Sequence, residues 1–301
     1  MRHIFFFAVL FLSASYASAQ LWTENFDDEN NGDQSGTAVG TVGGTWDVDV
    51  DPSGTFAVQD DLFVINNTVT EGTWSSDVID ISSVGYAVID IRYGSAGLGF
   101  SASDYIRFYY RIDGGPEILF ANIQGDVWDI DEAQASAIVA GNTLEVIIKA
   151  EDNSTFFIFA GRMWIADVTI TPADILYSRK SGTWTDVTGG FGGTGTWSTN
   201  RSGTPACGCV PLNDIVAVVQ NGHTVTLPTS QTAVGGSGTP NLAPGAVDIE
   251  SGGVLQYNTN GVTLGIQQGL FRVRNGGIVN SSSGAITGEQ ISFQANVGGA
   301  T

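Results

Sequence analysis

The stretch DYIRFYYRIDGGPEILFANI, residues 104–123, decides the fold class. Its two runs of β-branched and aromatic residues flank the turn sequence DGGP at 113–116. Glycine supplies the positive φ angles of a tight turn, and proline cannot continue a ladder of backbone hydrogen bonds. The stretch therefore predicts a β-hairpin.

Similar short runs recur on both sides of this hairpin, with turn residues between them. They are DLFVINNTVT (61–70), YAVIDIRY (86–93), NTLEVIIKA (142–150) and MWIADVTIT (163–171). No segment has the 3.6-residue apolar period of an amphipathic helix. Many short strands at this spacing predict an antiparallel β-sandwich over residues 20–171, a size ample for one hydrophobic core.

The N-terminus has the pattern of a secretory signal peptide. Arg2 and His3 precede an apolar run from residue 4 to 12, and an Ala-Ser-Ala motif at 17–19 comes before Gln20. We therefore expect residues 1–19 to be removed and the mature protein to be secreted or displayed at the cell surface. No later run reaches the roughly 20 apolar residues of a membrane helix, so no membrane span is expected.

Charge divides the chain into two parts. Of 31 acidic residues, 26 lie at or before Asp174, against five Arg and Lys between Gln20 and Asp174, whereas residues 175–301 hold five of each sign. This shift predicts a linker at 172–180 between the sandwich and a second domain at 181–301. Such acidity argues against nucleic acid as a partner, because phosphates require Lys and Arg.

The first part resembles a jelly-roll module that is repeated in secreted proteins of Bacteroidetes. The resemblance rests on ENFDD (24–28), TWSSDVIDIS (73–82), ASDYIRFYYRIDGG (102–115) and IADVTIT (165–171). It implies a jelly-roll fold and an accessory, non-catalytic role beside adhesins or secreted enzymes.

The same resemblance implies a calcium site. Related jelly rolls take ligands from an acidic N-terminal strand, here Glu24, Asp27 and Asp28, and from a carboxylate in the last strand. The expected last-strand position is Ala166, so Asp167 or a backbone carbonyl would have to substitute for it. Calcium is the one cofactor that the sequence suggests.

Two other acidic clusters are interpreted as solvated surface. DDENNGD (27–33) begins like an EF-hand loop, but the twelfth position holds Ala38 where a bidentate Glu is required. DVDVD (47–51) would place its three Asp on one face of a strand. Paired carboxylates of a glycosidase are also disfavoured, because acidic residues are so abundant that any pair is uninformative.

The second part contains three related segments, NGHTVTL (221–227), SGGVLQY (251–257) and NGGIVNS (275–281). They begin 30 and 24 residues apart, and each places a glycine turn before β-forming residues. Repeats of this length are typical of stacked rungs, in which each rung buries the apolar side of its neighbour. The segments predict a β-solenoid.

This part resembles the start of right-handed β-helices in secreted Bacteroidetes proteins, and the extracellular domain named for its eight glycines. The matching residues lie in PLNDIVAVVQNGHTVT, 211–226. The resemblance implies an adhesin-like or polysaccharide-associated surface protein. The last residues, FQANVGGAT, show no capping element, so a longer parent protein is expected.

The chain has two cysteines, Cys207 and Cys209, and His223 is its sole histidine after Gln20. The alternatives are a structural turn, with or without a disulfide between the two cysteines, a zinc site formed with Asp214 and His223, and unpaired thiols. The structural turn is favoured, because zinc ligands rarely stand one residue apart. His223 aligns with Gly253 and Gly277 of the related segments, which indicates a turn position and not a catalytic base.

Aromatic residues leave one functional hypothesis open. Sandwich tryptophans are usually core residues, but one of them could be a platform for sugar rings. The candidates are Trp22, Trp46, Trp74, Trp128 and Trp164.

The sequence thus predicts a non-catalytic surface protein that adheres to, or binds, extracellular polysaccharide or cell-surface glycan. The alternative is that the chain supplies accessory modules to a larger polysaccharide-degrading enzyme.

Overall fold

The computed structural model describes residues 20–97, 100–125, 130–153, 161–212, 215–228, 243–258, 262–266, 269–281 and 290–293. The predicted signal peptide, Trp128 and Asp214 lie outside these residues. Every regular element in the described part is a β-strand, which confirms the predicted all-β class.

The first thirteen strands form a jelly-roll β-sandwich. They are β1 (Trp22–Glu24), β2 (Ser35–Ala38), β3 (Gly44–Val50), β4 (Thr55–Gln59), β5 (Leu62–Asn66), β6 (Gly72–Ser76), β7 (Ile79–Asp80), β8 (Tyr86–Ala96), β9 (Tyr105–Ile112), β10 (Ile118–Gln124), β11 (Ile130–Ala140), β12 (Thr143–Glu151) and β13 (Arg162–Pro172). All their pairings are antiparallel.

The sandwich has two sheets. The front sheet has the order β11-β8-β13-β5-β4, and β1 also pairs with β13; the back sheet has the order β10-β9-β12-β6-β3-β2, and β7 also pairs with β12. The predicted hairpin is confirmed as β9 and β10, with Tyr110 opposite Ile118. Asp113 takes a φ of 50° in its turn, which Asn and Asp tolerate better than other side chains.

Alternation along the strands creates the core between the sheets. Inward positions hold aliphatic and aromatic side chains, and one end of the core is a cluster of rings in edge-to-face and tilted contacts. The cluster comprises Trp22, Phe26, Trp46, Phe56, Phe63 and Trp74.

The second part of the chain is a stack of parallel strands. The strands are β14 (Ile175–Ser178), β15 (Gly182–Thr183), β16 (Trp197–Ser198), β17 (Val216–Val219), β18 (Thr224–Leu227), β19 (Ala246–Ile249), β20 (Val254–Tyr257), β21 (Thr263–Ile266), β22 (Leu270–Val273), β23 (Ile278–Ser281) and β24 (Gln290–Phe293). Parallel ladders join β14-β17-β19-β22, β15-β18-β20-β23 and β21-β24, while β16 pairs antiparallel with β14.

The register of one ladder is the one that the related sequence segments predict. Thr224 pairs with Val254, and Val254 pairs with Ile278, each directly after its glycine turn. This is the pairing that stacked solenoid rungs require. The handedness of the predicted β-helix stays a prediction.

The two parts of the chain pack directly against each other. Side chains of β8 and β11 form one buried apolar cluster with strands of the parallel stack; its members are Tyr86, Val88, Ile138, Val216, Val218 and Ala246. The side chain of Asp248, buried at 0% exposure, accepts a hydrogen bond from Tyr86 across this contact and others from Arg272 and Arg274 within the stack. Residues 172–180, predicted as a linker, include β14 and so are part of the stack; the domain bounds themselves stay a prediction.

Candidate functional site

The structure separates the tryptophans of the sandwich into two groups. Trp22, Trp46 and Trp74 are at most 1% exposed and belong to the core. Trp164 is half-buried and lies on the outer face of the front sheet. Among the described sandwich tryptophans, Trp164 is therefore the one that a ligand can reach.

The indole of Trp164 lies flat on the sheet because its cross-strand neighbour is a glycine. Trp164 on β13 pairs with Gly94 on β8. A Cβ atom at residue 94 would collide with Cζ2, Cε2 and Nε1 of the indole. Gly94 thus lets the ring lie over the backbone of β8, and the C–H groups of a sugar ring can stack on a half-buried indole of this kind.

One cation lies over this ring. The guanidinium carbon of Arg162 lies 5.6 Å from the centroid of the Trp164 ring, within the range of a cation–π contact. Arg162 is exposed and has no hydrogen-bond partner among the described residues. Its N–H groups can therefore donate to ligand oxygens next to the ring.

A polar row continues from Trp164 along the same face. Arg92, two residues from Gly94, pairs with Asp167 on β13 and donates from Nη1 to Glu132 at 3.0 Å. One row further, Asp90 accepts hydrogen bonds from Gln134 (2.6 Å) and from Ser136. These groups give the face both donors and acceptors for hydroxyl groups.

The parallel stack closes the far end of this face. Tyr86 and Val88, on the same side of β8 as Arg92 and Gly94, are covered by β17 and β19. From Gly94 to Val88 the strand rises about 20 Å at roughly 3.3 Å per residue. We call the surface formed by Trp164, Gly94, Arg162, Arg92 and Asp90 the Trp164 face.

The outer face of the back sheet also carries aromatic rings, but the basic side chains over them have further polar partners of their own. Arg107 lies 3.8 Å from the ring centroid of Tyr105, which is 7% exposed. Lys149 lies 5.2 Å from the ring of Tyr109 and pairs with Glu117 at 2.7 Å. The rings and basic side chains of this outer face already contact one another. The Trp164 face is therefore the better candidate.

A second candidate site is an acidic cluster at the N-terminal end of the sandwich. One carboxylate oxygen from each of Glu24, Asp28 and Glu29 lies within 4.8 Å of the others. Glu24 is 1% exposed and accepts hydrogen bonds from the backbone N–H of Phe26 and from Nε1 of Trp46, both at 2.6 Å. We call these three carboxylates the acidic cluster.

The environment of Glu29 favours a cation. Oε1 accepts from the backbone N–H of Thr37 at 3.2 Å, whereas Oε2 is buried and has no partner among the described residues. Burial and the neighbouring carboxylates of Asp28 and Glu24 raise the pKa of Glu29 to about 7. A Cβ atom at Gly36 would fill the space of Glu29 Oε1, so a glycine is required opposite this carboxylate. Three oxygen ligands in one place fit a hard cation such as Ca²⁺.

The structure does not assemble the predicted calcium ligands Glu24, Asp27 and Asp167. Glu24 pairs with Val168, so the side chain of Asp167 points to the opposite face of the sheet, where it contacts Arg92. Asp27 is exposed and accepts from Asn25 at 2.7 Å. Of the candidates from the sequence, Glu24 and Asp28 lie together, and Glu29 joins them.

Cys207 and Cys209 are joined by a disulfide in the structure, which leaves no thiolate for zinc. His223 contacts Ser178 and not the cysteines: its Nδ1 lies 2.9 Å from both Oγ and the backbone oxygen of Ser178. Ser178 is fully buried, so this contact is structural and not a nucleophile with its base.

Comparisons with known proteins give fold likeness at low similarity. No protein-family model and no curated protein matches the chain. A solved structure from work on endo-acting O-glycanases, which prominent members of the human gut microbiota express to initiate mucin breakdown, is 9% identical and covers 51% of this chain and 99% of its own, with a TM-score of 0.33.

Two carbohydrate-binding modules are also similar. A family 61 module in complex with β-1,4-galactotriose is 10% identical and covers 42% of this chain and 88% of its own, with a TM-score of 0.28. A family 16 module is 8% identical and covers 41% and 84%, with a TM-score of 0.26. At these values the likeness by itself says nothing about what this chain binds. The described part of the chain contains no helix with the length and apolar character that a membrane crossing needs.

Proposed function

We propose that this protein binds extracellular glycans through the Trp164 face. The observation that carries the proposal is the half-buried indole of Trp164, which lies over Gly94 with the exposed guanidinium of Arg162 5.6 Å from its ring centroid. Sugar rings combine an apolar face with a rim of hydroxyl groups. A flat ring next to charged donors and acceptors complements both features.

Replacing Trp164 by alanine should weaken glycan binding at least tenfold, because the stacking surface is lost. Ligands are first found by screening residues 20–301 on a glycan array, and affinities are then measured by titration calorimetry. Gly94→Ala should weaken binding as well, since the new methyl group would lift the ring from the sheet.

The matched control is Tyr109→Ala, which removes an aromatic ring of similar exposure from the back sheet. It should leave affinity within about twofold of the parent. Equal losses for Trp164→Ala and Tyr109→Ala, or no bound glycan on the array, would overturn the proposal.

We also propose that the acidic cluster binds Ca²⁺. The support is the buried Oε2 of Glu29, which has no hydrogen-bond partner within the described ranges and belongs to a group of three close carboxylates. Glu24, Asp28 and Glu29 would be the side-chain ligands, and the ion would neutralise their mutual repulsion. It would thereby fix the turn that follows β1 at the edge of the aromatic cluster.

Adding Ca²⁺ at about 100 times its Kd should stabilise the fold by about 2.7 kcal/mol, because the ion binds the folded state alone. A thermal melt with Ca²⁺ and with chelator measures this difference. Glu29→Gln should remove most of the response. Asp27→Asn, which changes an exposed neighbour outside the cluster, should keep the stabilisation by Ca²⁺. If Asp27→Asn loses this stabilisation and Glu29→Gln keeps it, or if the parent protein shows none, this ligand set is refuted.

Secretion, adhesion at a cell surface and an accessory role beside a catalytic domain are proposals of the same kind. Adhesion and the accessory role both use glycan binding, and they differ in which other domains the parent protein contains. A parent reading frame with further repeats supports adhesion, whereas a catalytic domain in it supports the accessory role.

A further inference from the structure

A polar cavity of about 350 Å³ opens on the parallel stack, away from both sites described above. It lies where the glycine turns of two neighbouring rungs meet the loop that follows β16. The side chains that matter for its chemistry are Arg179, Arg201, Ser202, Asn221, His223 and Glu250. Its volume is at the small end of the range of about 300–1,000 Å³ for small-molecule sites, and suits a single sugar unit.

The walls of this cavity are held by internal hydrogen bonds. Arg179 donates from Nε to the backbone oxygen of Gly203 at 2.6 Å and from Nη1 to that of Gly193 at 3.1 Å. The side-chain amide of Gln220 donates to the backbone oxygens of Ser178 (2.6 Å) and Arg201 (3.0 Å). The groups that face the cavity are therefore already in place before a ligand arrives.

The cavity is locally basic in a chain with a formal net charge of −20. It contains two guanidinium groups and one carboxylate, that of Glu250, which pairs with Arg201. Nη2 of Arg179 has no hydrogen-bond partner among the described residues, and the Arg201 side chain is 58% exposed. One positive charge is thus left for an anionic ligand.

Hydroxyl-binding groups surround this charge. Because Nδ1 of His223 is held by the backbone oxygen of Ser178, Nε2 is the ring atom left for a ligand, and it has no partner in the described part of the chain. Exposed Asn221 and Ser202 stand on the rim. Such a set can contact several hydroxyl groups at once.

We propose that this cavity is a second binding site, which takes an acidic sugar unit: the carboxylate lies between Arg179 and Arg201, and the hydroxyls face His223, Asn221 and Ser202. The site is independent of the Trp164 face.

The test uses residues 20–301 without a histidine tag, so that His223 gives the one imidazole signal in the NMR spectrum. D-glucuronate should shift this signal in a saturable titration. The uncharged methyl ester of glucuronate, glucose and inorganic sulfate should each bind at least tenfold more weakly. Equal binding of the ester would remove the role of the carboxylate, and equal binding of sulfate would reduce the cavity to a general anion site; either result overturns the proposal.

Asn221→Asp provides the matching variant, because it adds a negative charge to the rim through an exposed side chain of nearly the same shape. It should weaken glucuronate binding at least tenfold at an unchanged melting temperature. Trp164→Ala should leave glucuronate binding unchanged, which separates this site from the proposed glycan face. Unchanged affinity in Asn221→Asp would contradict the site.

Discussion

Replacing Asp248 by alanine should lower the free energy of unfolding by about 3 kcal/mol. The carboxylate is fully buried between the sandwich and the parallel stack, where it contacts Tyr86, Arg272 and Arg274. Removing one partner of a buried charge network costs about 3–5 kcal/mol. The low end applies, because the side chains of Arg272 and Arg274 are 34% and 41% exposed and can regain water.

Urea unfolding of the parent and the variant measures this loss. Tyr86→Phe is the control that keeps the ring and all three charges. It removes the hydroxyl, which donates to Asp248 and accepts from Arg272 and Arg274, for an expected cost of about 1.5 kcal/mol, the low end for a hydrogen bond to a charged group. If Asp248→Ala costs no more than Tyr86→Phe, the contact between the two parts of the chain is not stabilised by this charge network.

The same carboxylate makes stability depend on pH. Burial opposes its charge, but hydrogen bonds from Arg274, Arg272 and Tyr86 hold the pKa of Asp248 below its ordinary value of 3.8. Because the pKa is lower in the folded state, the ionised Asp248 carboxylate stabilises the fold at pH values above 3.8. This stabilisation is lost as the pH falls below 3.8. The Asp248→Ala variant should lose this part of the acid sensitivity.

Trp46→Phe should lower the free energy of unfolding by about 3–4 kcal/mol. The smaller ring leaves unfilled volume in the aromatic cluster, at a cost of about 1 kcal/mol or more. The larger effect concerns Glu24, because its buried Oε2 loses the N–H of Trp46. A hydrogen bond to a charged group contributes about 1.5–3 kcal/mol.

Trp74→Phe is the matched control for this prediction. Trp74 is equally buried and packs 5.9 Å from Trp46, but its Nε1 has no hydrogen-bond partner among the described residues. The Trp74→Phe substitution should therefore cost only the free energy of the unfilled volume. Chemical denaturation of both variants isolates the bond to Glu24, and equal costs would show that this bond contributes nothing.

The residue pattern within short segments of the sequence predicted the fold, because strand and turn preferences are properties of neighbouring residues. The DGGP turn specified the hairpin of β9 and β10, and the glycine turns at 222, 252 and 276 specified the register of β18, β20 and β23. The packing of the stack on the sandwich could not be predicted, since Tyr86 and Asp248 are 162 residues apart and neither stands in a recognisable motif.

The candidate sites were predicted in part. Trp164 was one of five tryptophans, and its role depends on Gly94, a cross-strand neighbour about 70 residues away in the sequence. Glu24 and Asp28 were candidate ligands, but Glu29 was assigned to solvated surface. The turn after β1, with Phe26 at a φ of 60°, brings Glu29 back toward Glu24, and consecutive acidic residues give no sign of this in the sequence.

Strand β8 connects the Trp164 face with the parallel stack, and this has a mechanical consequence. Gly94 lies near one end of the strand and Tyr86 at the other, and β11 and β13 pair with it along both edges. Trp164 itself lies on β13, so a pull on a glycan held there and resisted where Tyr86 meets the stack would pass from β13 to β8 along the strand axis. It would load the ladder hydrogen bonds between these two strands together, in shear, instead of opening them one at a time, so the force needed to separate them would be high.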